Sequence, residues 1–366
     1  MPLQVTKTFL PPLEEYLAYV RQIWQNGWIT NGGPFSVQLE AALKDYLKLD
    51  HVVLCNNGTI ALQLAIRALK LHGEIITTPF SYAASVNAII WENCQPVFAD
   101  IDPMTFCLDP AKVEACITPR SSAILAVHVY GIPCDVQALA DLAKSFGLKI
   151  IYDAAHAFGV QVNGSSVLQY GDITACSFHA TKLFHTAEGG MVTCSDPELA
   201  QQLILLRQFG HIGETYYGLG INGKCSELHA ALGLCMLPHL NTVIAQRKKA
   251  FEHYCQLLTS LPVQLLHIPS NVTYNYAYFP VVFPSPKAVQ QVCTLLAEQQ
   301  IFPRKYFFPP LNRLPHVQGP SCPIAENISS RVLALPLSHA ITEVEIEQVC
   351  SIISKVLNTP YSALQT

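Results

Sequence analysis

The sequence predicts an α/β protein with a large domain built on a mostly parallel sheet and a smaller C-terminal domain of α+β type. Between residues 50 and 195, short apolar runs of strand character alternate with segments of helical periodicity. Past residue 240 the pattern changes to a long polar helix and then a proline-rich part. A chain of 366 residues also has the length of about two domains. We therefore predict domains over residues 1–240 and 241–366.

The elements of the large domain follow in chain order. Strands are predicted at residues 51–55, 74–77, 96–99, 123–129, 149–152, 175–178 and 191–194. Helices are predicted at residues 60–71, 82–92, 136–146 and 198–209, where apolar residues recur at helical spacing. The segment before residue 50, with a turn at residues 30–34, is predicted to be an arm that packs on one or both domains.

The C-terminal domain is predicted to contain helices at residues 241–258 and 285–299 and a strand at residues 277–283. A last helix begins near Thr342, and Glu345 follows three residues later. This is the spacing of a capping box, in which each side chain bonds the other residue's backbone N–H.

Composition excludes several classes of protein. The net charge is −4 without a basic block, which argues against a nucleic-acid partner. Only 13% of residues are charged and 50% are apolar, so we expect part of the surface to be covered by another subunit. Thirteen scattered cysteines without a CxxC pair predict reduced thiols. Without a leader or a long uninterrupted apolar run, the chain is predicted to be cytoplasmic and to contact no membrane.

The thirteen histidines raise the question of a metal site. None forms HxxxH or HExxH, and the nearest pair, His179 and His185, has no accompanying cysteine or carboxylate pattern. We therefore predict that the protein has no metal site.

Ligands of an open parallel sheet bind beyond the carboxyl ends of its strands, so the residues just after each strand are the candidate site. The first strand is followed by Asn57, Gly58 and Thr59 at a helix start, where free N–H groups favour an anion. These residues predict a phosphate cradle, although an ordinary helix N-cap accounts for them equally well.

Two further strand ends carry reactive side chains. Asp153 and His156 follow the strand at 149–152, and Lys182 follows the strand at 175–178 among small and apolar residues. Burial lowers the pKa of an amine, and an uncharged amine is what a Schiff base requires. Taken separately, the aspartate is explained equally well as a helix N-cap, and the alternative for the lysine, less favoured, is an ordinary surface residue.

Together, an anion cradle, a carboxylate for a protonated ring nitrogen and an amine are the parts that hold pyridoxal phosphate. Tyr82, after the strand at 74–77, is an aromatic side chain that could stack on the ring. The sequence therefore predicts a pyridoxal-phosphate enzyme.

An ordered series of motifs along nearly the whole chain resembles the DegT/DnrJ/EryC1/StrS family of sugar aminotransferases, which are fold-type-I pyridoxal-phosphate enzymes. The motifs lie at residues 57–62, 96–102, 127–131, 153–157, 177–182, 188–190, 220–222 and 333–337. Departures from the family pattern include Ala187 before the Glu-Gly-Gly motif, Asn56-Asn57 for a more usual Ser-Gly, and Lys224 where relatives often carry arginine.

The resemblance implies roles by position. Lys182 corresponds to the Schiff-base lysine, which also moves the proton between cofactor and substrate. Asp153 corresponds to the partner of the pyridine nitrogen, and His156 stands near the phenolic oxygen, where many relatives have glutamine. The remaining implied cofactor ligands are Gly58, Thr59, Ser177, Tyr82 and Asn222. Because Asn222 corresponds to an asparagine that reaches the neighbouring subunit's phosphate, the resemblance implies a homodimer with shared active sites.

Four segments, at residues 77–82, 177–186, 274–280 and 304–307, are most similar to the family members that form dTDP-4-amino-4,6-dideoxyglucose. The resemblance implies L-glutamate as amino donor and a dTDP-linked 4-keto-6-deoxyglucose as acceptor. Candidate substrate-binding residues are His179, His185, Lys224, Arg304 and Tyr306. The alternatives are amination at C3 of a 3-keto isomer, a sugar dehydratase, which would carry histidine in place of Lys182, and a non-catalytic regulatory member. An unrelated nucleotide-binding enzyme is disfavoured because no GxGxxG or GxxxxGK[ST] motif follows a strand.

Overall fold

The computed structural model describes residues 2–317 and 319–358. The helices in chain order are α1 (Leu13–Asn26), α2 (Pro34–Leu47), α3 (Gly58–Ala68), α4 (Ala83–Trp91), α5 (Pro110–Ala115), α6 (Val136–Phe146), α7 (Pro197–Arg207), α8 (Glu227–Met236), α9 (Leu240–Leu258), α10 (Pro286–Glu298), α11 (Pro323–Arg331) and α12 (Glu343–Asn358).

The strands in chain order are β1 (Leu3–Gln4), β2 (His51–Cys55), β3 (Glu74–Thr77), β4 (Gln95–Phe98), β5 (Ser121–Val127), β6 (Lys149–Asp153), β7 (Gln161–Val162), β8 (Ser165–Ser166), β9 (Ile173–Ser177), β10 (Gly190–Cys194), β11 (His211–Ile212), β12 (Thr215–Tyr216), β13 (Gln264–Leu265), β14 (Val272–Thr273), β15 (Phe279–Val282), β16 (Ile301–Phe302) and β17 (Val332–Leu335).

The central sheet confirms the predicted mostly parallel α/β class. Its strand order is β2-β10-β9-β6-β5-β3-β4, and β10 alone runs antiparallel to its two neighbours. The strands are buried over nearly their whole length because helices cover both faces. The carboxyl ends of β2, β3, β6 and β9 therefore meet at one edge of the sheet.

Most predicted elements of this domain agree with the structure to within one to three residues. Strands β2 and β3 and helix α6 have the predicted bounds. Helix α6 begins where Asp135 Oδ1 accepts the N–H of Ala138, and it ends at Gly147 with φ of 67°. The strand predicted at 123–129 instead ends at Val127, because Val129–Gly131 form a tight 3-10 turn.

The N-terminal arm contains two helices, α1 and α2, that the sequence analysis did not predict. Helix α2 is anchored by Glu227 of α8, whose carboxylate accepts the N–H groups of Phe35 and Ser36 at 2.7 and 2.9 Å. A Cβ on Gly33 would lie 2.6 Å from the Glu227 side chain, so the glycine of the predicted turn makes this close approach possible.

The C-terminal part consists of the three-stranded sheet β13-β15-β17 with helices α9 to α12. The predicted capping box is confirmed, since Thr342 Oγ1 accepts the N–H of Glu345 and Glu345 Oε2 accepts the N–H of Thr342. One apolar cluster extends from Val53 in the central sheet to Ile353 in α12. The division at residue 240 stays a prediction, because this shared core does not itself mark a boundary.

One stretch, Glu227–Leu258, is long and apolar enough to cross a membrane by length and composition alone. Here it comprises α8, a 3-10 turn and α9, and it packs against α1, α2 and α12 with Glu227 and Arg247 buried. A stretch that carries buried charged groups and packs against three other helices is a part of this fold, in which α8 and α9 contribute to the core.

All thirteen cysteines are free thiols. Among residues 2–317 and 319–358, no group of three or more His, Cys, Asp or Glu side chains is arranged to hold a metal ion.

Candidate active site

A cavity of about 600 Å³ lies at the sheet edge where the carboxyl ends of the parallel strands meet. Its floor is formed by residues that follow β2, β3, β6 and β9, and its opposite wall by Tyr278, Tyr306 and Phe307 of the C-terminal part. Nine sequence-predicted site residues line it: Gly58, Thr59, Tyr82, Asp153, His156, Ser177, His179, Lys182 and Tyr306.

The start of α3 has the features of the predicted anion cradle. Asn57 caps the helix through Oδ1, which accepts the N–H of Ile60 at 2.9 Å. Among the described residues, no backbone or side-chain group accepts the N–H of Gly58 or Thr59, which therefore remain available to a ligand. A Cβ on Gly58 would lie 2.7 Å from Ser177 Cβ, so the glycine allows the serine to complete the cradle.

Asp153 ends β6 and is buried at the cavity floor. Its Oδ2 accepts the Ser85 hydroxyl at 2.8 Å, and its Oδ1 accepts the Ala155 N–H at 3.1 Å. Burial raises the pKa of this carboxyl, while these two donors and the positive charge of Lys182 oppose the rise. A cation bound in the cavity would further favour the ionised form of Asp153.

Lys182 lies in the loop after β9 and is half-buried at the cavity. Its backbone N–H donates to the carbonyl of His179 at 2.8 Å, which turns the loop so that the lysine faces the sheet edge. Its charge acts on both Asp153 and His156. An amine and a carboxylate of the cavity are therefore close enough to influence each other.

His156 stands between the floor of the cavity and an aromatic wall. Its ring stacks on Phe307 with centroids 5.8 Å apart and an interplanar angle of 7°, and it contacts Tyr278 at 4.6 Å. Burial, together with the charge of Lys182, lowers the pKa of the imidazole well below its usual range. The ring is therefore neutral at physiological pH.

The cavity mouth carries polar and aromatic groups. His179 Nε2 lies 3.6 Å from the carboxylate of Glu188, and His179 Nδ1 lies 2.8 Å from the Thr181 hydroxyl. Tyr82 is 66% exposed at the start of α4. Burial raises the pKa of the Tyr306 hydroxyl, and the nearby charge of Arg304 acts against that rise.

Four predicted site residues do not line the cavity. His185 is buried and its Nε2 lies 2.7 Å from the carbonyl of Phe9, so it holds the N-terminal arm. Arg304 is exposed and pairs through its backbone with Ala334. Lys224 donates to Asn222 Oδ1 at 2.7 Å, and both belong to the segment after the β11-β12 hairpin.

Sequence reasoning missed several residues that line or support the cavity. Ser85 lies on α4, four residues after Ser81, and its contact with Asp153 has no sequence signal beyond that helical spacing. Tyr278 and Phe307 lie in two of the segments that resemble the dTDP-sugar-forming family members, but neither was singled out as a site residue. Glu188 precedes β10, and because β10 is antiparallel its first residues, not its last, lie at the ligand edge.

The residues present fit pyridoxal phosphate. The cradle that a Cβ at position 58 would fill suits the phosphate, the buried Asp153 suits a protonated ring nitrogen, and the Lys182 amine suits the aldehyde. The cavity volume also leaves room for a substrate beside the cofactor.

Comparison with known proteins gives the same assignment. The profile of the DegT/DnrJ/EryC1/StrS aminotransferase family matches residues 13–354. Over 366 residues the chain is 42% identical to a dTDP-4-amino-4,6-dideoxy-D-glucose transaminase of Shigella dysenteriae, with 97% of this chain and 99% of that protein covered.

Solved structures agree with the sequence comparison. The fold matches DesI, determined in the presence of its TDP-sugar product, with a TM-score of 0.93, 32% identity and 98% and 93% of the two chains covered. It matches NtdA from Bacillus subtilis, determined with bound cofactor PMP, with a TM-score of 0.88, 28% identity and 95% and 82% covered. The chain therefore belongs to the DegT/DnrJ/EryC1/StrS aminotransferase family and is a pyridoxal-phosphate-dependent transaminase.

Proposed function

We propose that the protein transfers the amino group of L-glutamate to dTDP-4-keto-6-deoxy-D-glucose and so forms dTDP-4-amino-4,6-dideoxy-D-glucose. The observation that carries this proposal is the meeting of Lys182, Asp153 and the Gly58-Thr59-Ser177 cradle in one cavity. The choice of sugar is supported by the relative that shares 42% of its residues along nearly the whole chain.

The cofactor, when bound, supplies an electron sink for the bond broken at the substrate carbon. The Lys182 amine would hold the cofactor through its aldehyde and would move the proton at the substrate carbon. Asp153, held by Ser85 and the Ala155 N–H, would supply the negative charge that partners the ring nitrogen. The aromatic wall at Phe307 keeps water from one side of the cavity.

The sugar nucleotide is proposed to enter past the mouth of the cavity. His179 and Tyr306 would offer hydrogen-bonding groups to the sugar, and the carboxylate of Glu188 lies 3.6 Å from His179 Nε2. Exposed Arg304, beside Tyr306, is a cation suited to a pyrophosphate at the rim. No arginine among the described residues lines the cavity, so we propose that a cation at the rim or from another subunit binds a carboxylate of glutamate.

The enzyme is proposed to be a homodimer with shared active sites. Asn222 and Lys224 lie outside the cavity of their own subunit, where they are available to a second copy. The surrounding segment is unusually apolar for an exposed surface. Its exposed large side chains are Phe209, Ile212, Tyr216, Tyr217, Leu219 and Ile221. A second copy would cover this surface and bring Asn222 to the phosphate cradle.

We place the enzyme in the cytoplasm. Thirteen free thiols, most of them buried, persist in a reducing compartment. The nucleotide sugars used by the proposed reaction are consistent with that location.

The test is incubation of the purified enzyme with L-glutamate and either dTDP-4-keto-6-deoxyglucose or its 3-keto isomer, with products identified by mass and NMR. We expect amination at C4 only, with one 2-oxoglutarate formed per amino sugar. Product from the 3-keto isomer alone would make the enzyme a 3-aminotransferase. A colourless protein that converts neither sugar would indicate a regulatory member.

A further inference from the structure

Tyr274 and Asn275, two neighbouring residues of the C-terminal part, fix the donor residue and the acceptor residue of one buried hydrogen bond beside the cavity. In that bond the backbone N–H of Tyr130 donates to His156 Nδ1 at 3.2 Å. The Tyr274 hydroxyl donates to the Tyr130 carbonyl at 2.8 Å. Asn275 Nδ2 donates to the carbonyls of His156 and Phe158, each at 2.9 Å. The donor residue and the acceptor residue are thus both fixed from the same segment.

The backbone has little conformational freedom where Gly131 meets His156 and Asn275. Gly131 has φ of 92°, and a Cβ there would lie 2.8 Å from the His156 carbonyl oxygen and 2.9 Å from Asn275 Oδ1. Asn275 is 1% exposed, and its Oδ1 accepts the N–H of Ala277 at 3.1 Å. Both ends of the Asn275 amide are therefore paired, and the side chain has one orientation.

These hydrogen bonds determine which ring nitrogen of His156 carries the proton. Because Nδ1 accepts a hydrogen bond from a backbone N–H, the proton of the neutral ring lies on Nε2. Within residues 2–317 and 319–358 the ring of His156 is hydrogen-bonded only through Nδ1, and the ring lines the cavity. Nε2–H is therefore a donor available to a bound ligand.

We propose that Tyr274 and Asn275 are positioning residues that hold His156 in its Nε2–H form, aimed at the bound cofactor. Neither residue lines the cavity, so both act through His156. The proposal rests on the cofactor binding of the proposed function but on no assumption about the sugar.

A double-mutant cycle tests the proposal, with the dissociation constant of pyridoxal phosphate for the apoprotein as readout. Tyr274→Phe removes one hydroxyl, and Asn275→Asp replaces the donating amide by an acceptor facing two carbonyls. We expect these variants to weaken cofactor binding about 3-fold and about 10-fold. In a His156→Phe background, which keeps the ring shape but no nitrogen, each effect should fall below about 2-fold.

Matched controls come from the same segment. Tyr276→Phe removes a hydroxyl two residues from Tyr274, and Asn271→Asp changes an exposed asparagine whose side chain bonds Asn163. Both controls should bind the cofactor like the unmodified protein. If Asn275→Asp does not fold, Tyr274→Phe, which removes a single oxygen, still provides the test.

A spectroscopic readout separates positioning from general destabilisation. In apoprotein with ¹⁵N-labelled histidine, the His156 signals, assigned by their loss in His156→Phe, should show one Nε2–H form. In Tyr274→Phe and Asn275→Asp the His156 signals should shift toward a mixture of the Nε2–H and Nδ1–H forms. Equal losses of affinity in the two backgrounds, or an unchanged form of the ring, would overturn the proposal. Failure of the unmodified protein to bind the cofactor would overturn the proposed function as well.

Discussion

The hydroxyl of Ser85 donates to Asp153 Oδ2 at a distance of 2.8 Å. Ser85 lies on α4, the helix that follows β3, so this helix holds the carboxylate that ends β6. Ser81 Oγ lies 2.8 Å from Ser85 Oγ and extends the chain of hydroxyls. Since burial raises the pKa of Asp153, each donor helps to keep the group ionised where a ring nitrogen must stay protonated.

Ser85→Ala should therefore weaken the cofactor site. Removal of this donor lets the pKa of Asp153 rise further, and we expect an approximately 10-fold higher dissociation constant for pyridoxal phosphate, measured by titration of the apoprotein. Ser122→Ala is the matched control, because that hydroxyl donates to the Glu74 carbonyl at the far end of the sheet. Equal cofactor affinity in both variants would contradict this role of Ser85.

Lys182→Ala should remove the visible absorption band of the bound cofactor and reduce the transamination rate by about three orders of magnitude or more. The reason is that no other amine among the described residues lines the cavity. Lys182→Arg keeps the charge without a group that can join an aldehyde, so it should lose the band as well. A variant that retained both the band and the rate would disprove the assignment of Lys182.

Shared active sites predict complementation between two inactive variants. Lys182→Ala and Asn222→Ala alter different sites if Asn222 serves the neighbouring subunit. In a hybrid dimer one site then carries both defects and the other carries none. Co-expression in equal amounts should restore about a quarter of the unmodified activity, because about half of the dimers are hybrids with one intact site. If both residues served the same subunit, the hybrids would show no recovery above the two separate variants.

Gly58→Ala should disturb the cradle by steric overlap. The new Cβ would lie 2.7 Å from Ser177 Cβ, closer than two such atoms can approach. We expect cofactor affinity to fall about 10-fold or more. Gly58→Ala with Ser177→Gly restores the space, so the double variant should bind more tightly than Gly58→Ala alone. If the second change brought no recovery, overlap with Ser177 would not be the cause.

Elements with continuous apolar runs and clear caps were the ones that the sequence predicted well. Strand β3 has Ile75 and Ile76 at its centre, and helix α6 lies between the cap Asp135 and Gly147. Helices α1 and α2 were missed because prolines and glycines punctuate the first 34 residues and suggest an irregular arm. Pro34 in fact opens α2 at its first turn, where proline needs no hydrogen-bond donor.

Site residues were predicted from the sequence where they lie at the carboxyl end of a parallel strand, and they were missed where they do not. Asp153 ends a parallel strand and was found from that position, whereas Ser177, which also ends a parallel strand, was assigned from the family resemblance. Glu188 was missed because β10 is antiparallel, so the residues before this strand, and not those after it, lie at the ligand-binding edge of the sheet. His185 does not line the cavity: it follows the buried Leu183 and Phe184 and lies against the N-terminal arm.

The buried His128 gives the protein a pH-dependent stability that does not depend on the cofactor. Its Nδ1 accepts the N–H of Cys134 at 3.0 Å, and its ring stacks on Tyr152 with centroids 4.6 Å apart. Burial lowers its pKa to about 3, whereas in the unfolded chain it takes up a proton near pH 6.5. Between these two values the unfolded state binds more protons, so the free energy of unfolding must fall as the pH falls.

His128→Gln tests this dependence, because glutamine can still accept the Cys134 N–H but does not titrate. Urea unfolding between pH 6 and pH 4 should show the unmodified protein losing about 1 kcal/mol per pH unit more than the variant. The exposed His72→Gln serves as control and should follow the unmodified protein. Parallel curves for the unmodified protein and His128→Gln would mean that His128 is protonated in the folded state, and its place between Tyr152 and the Cys134 amide would then need a different explanation.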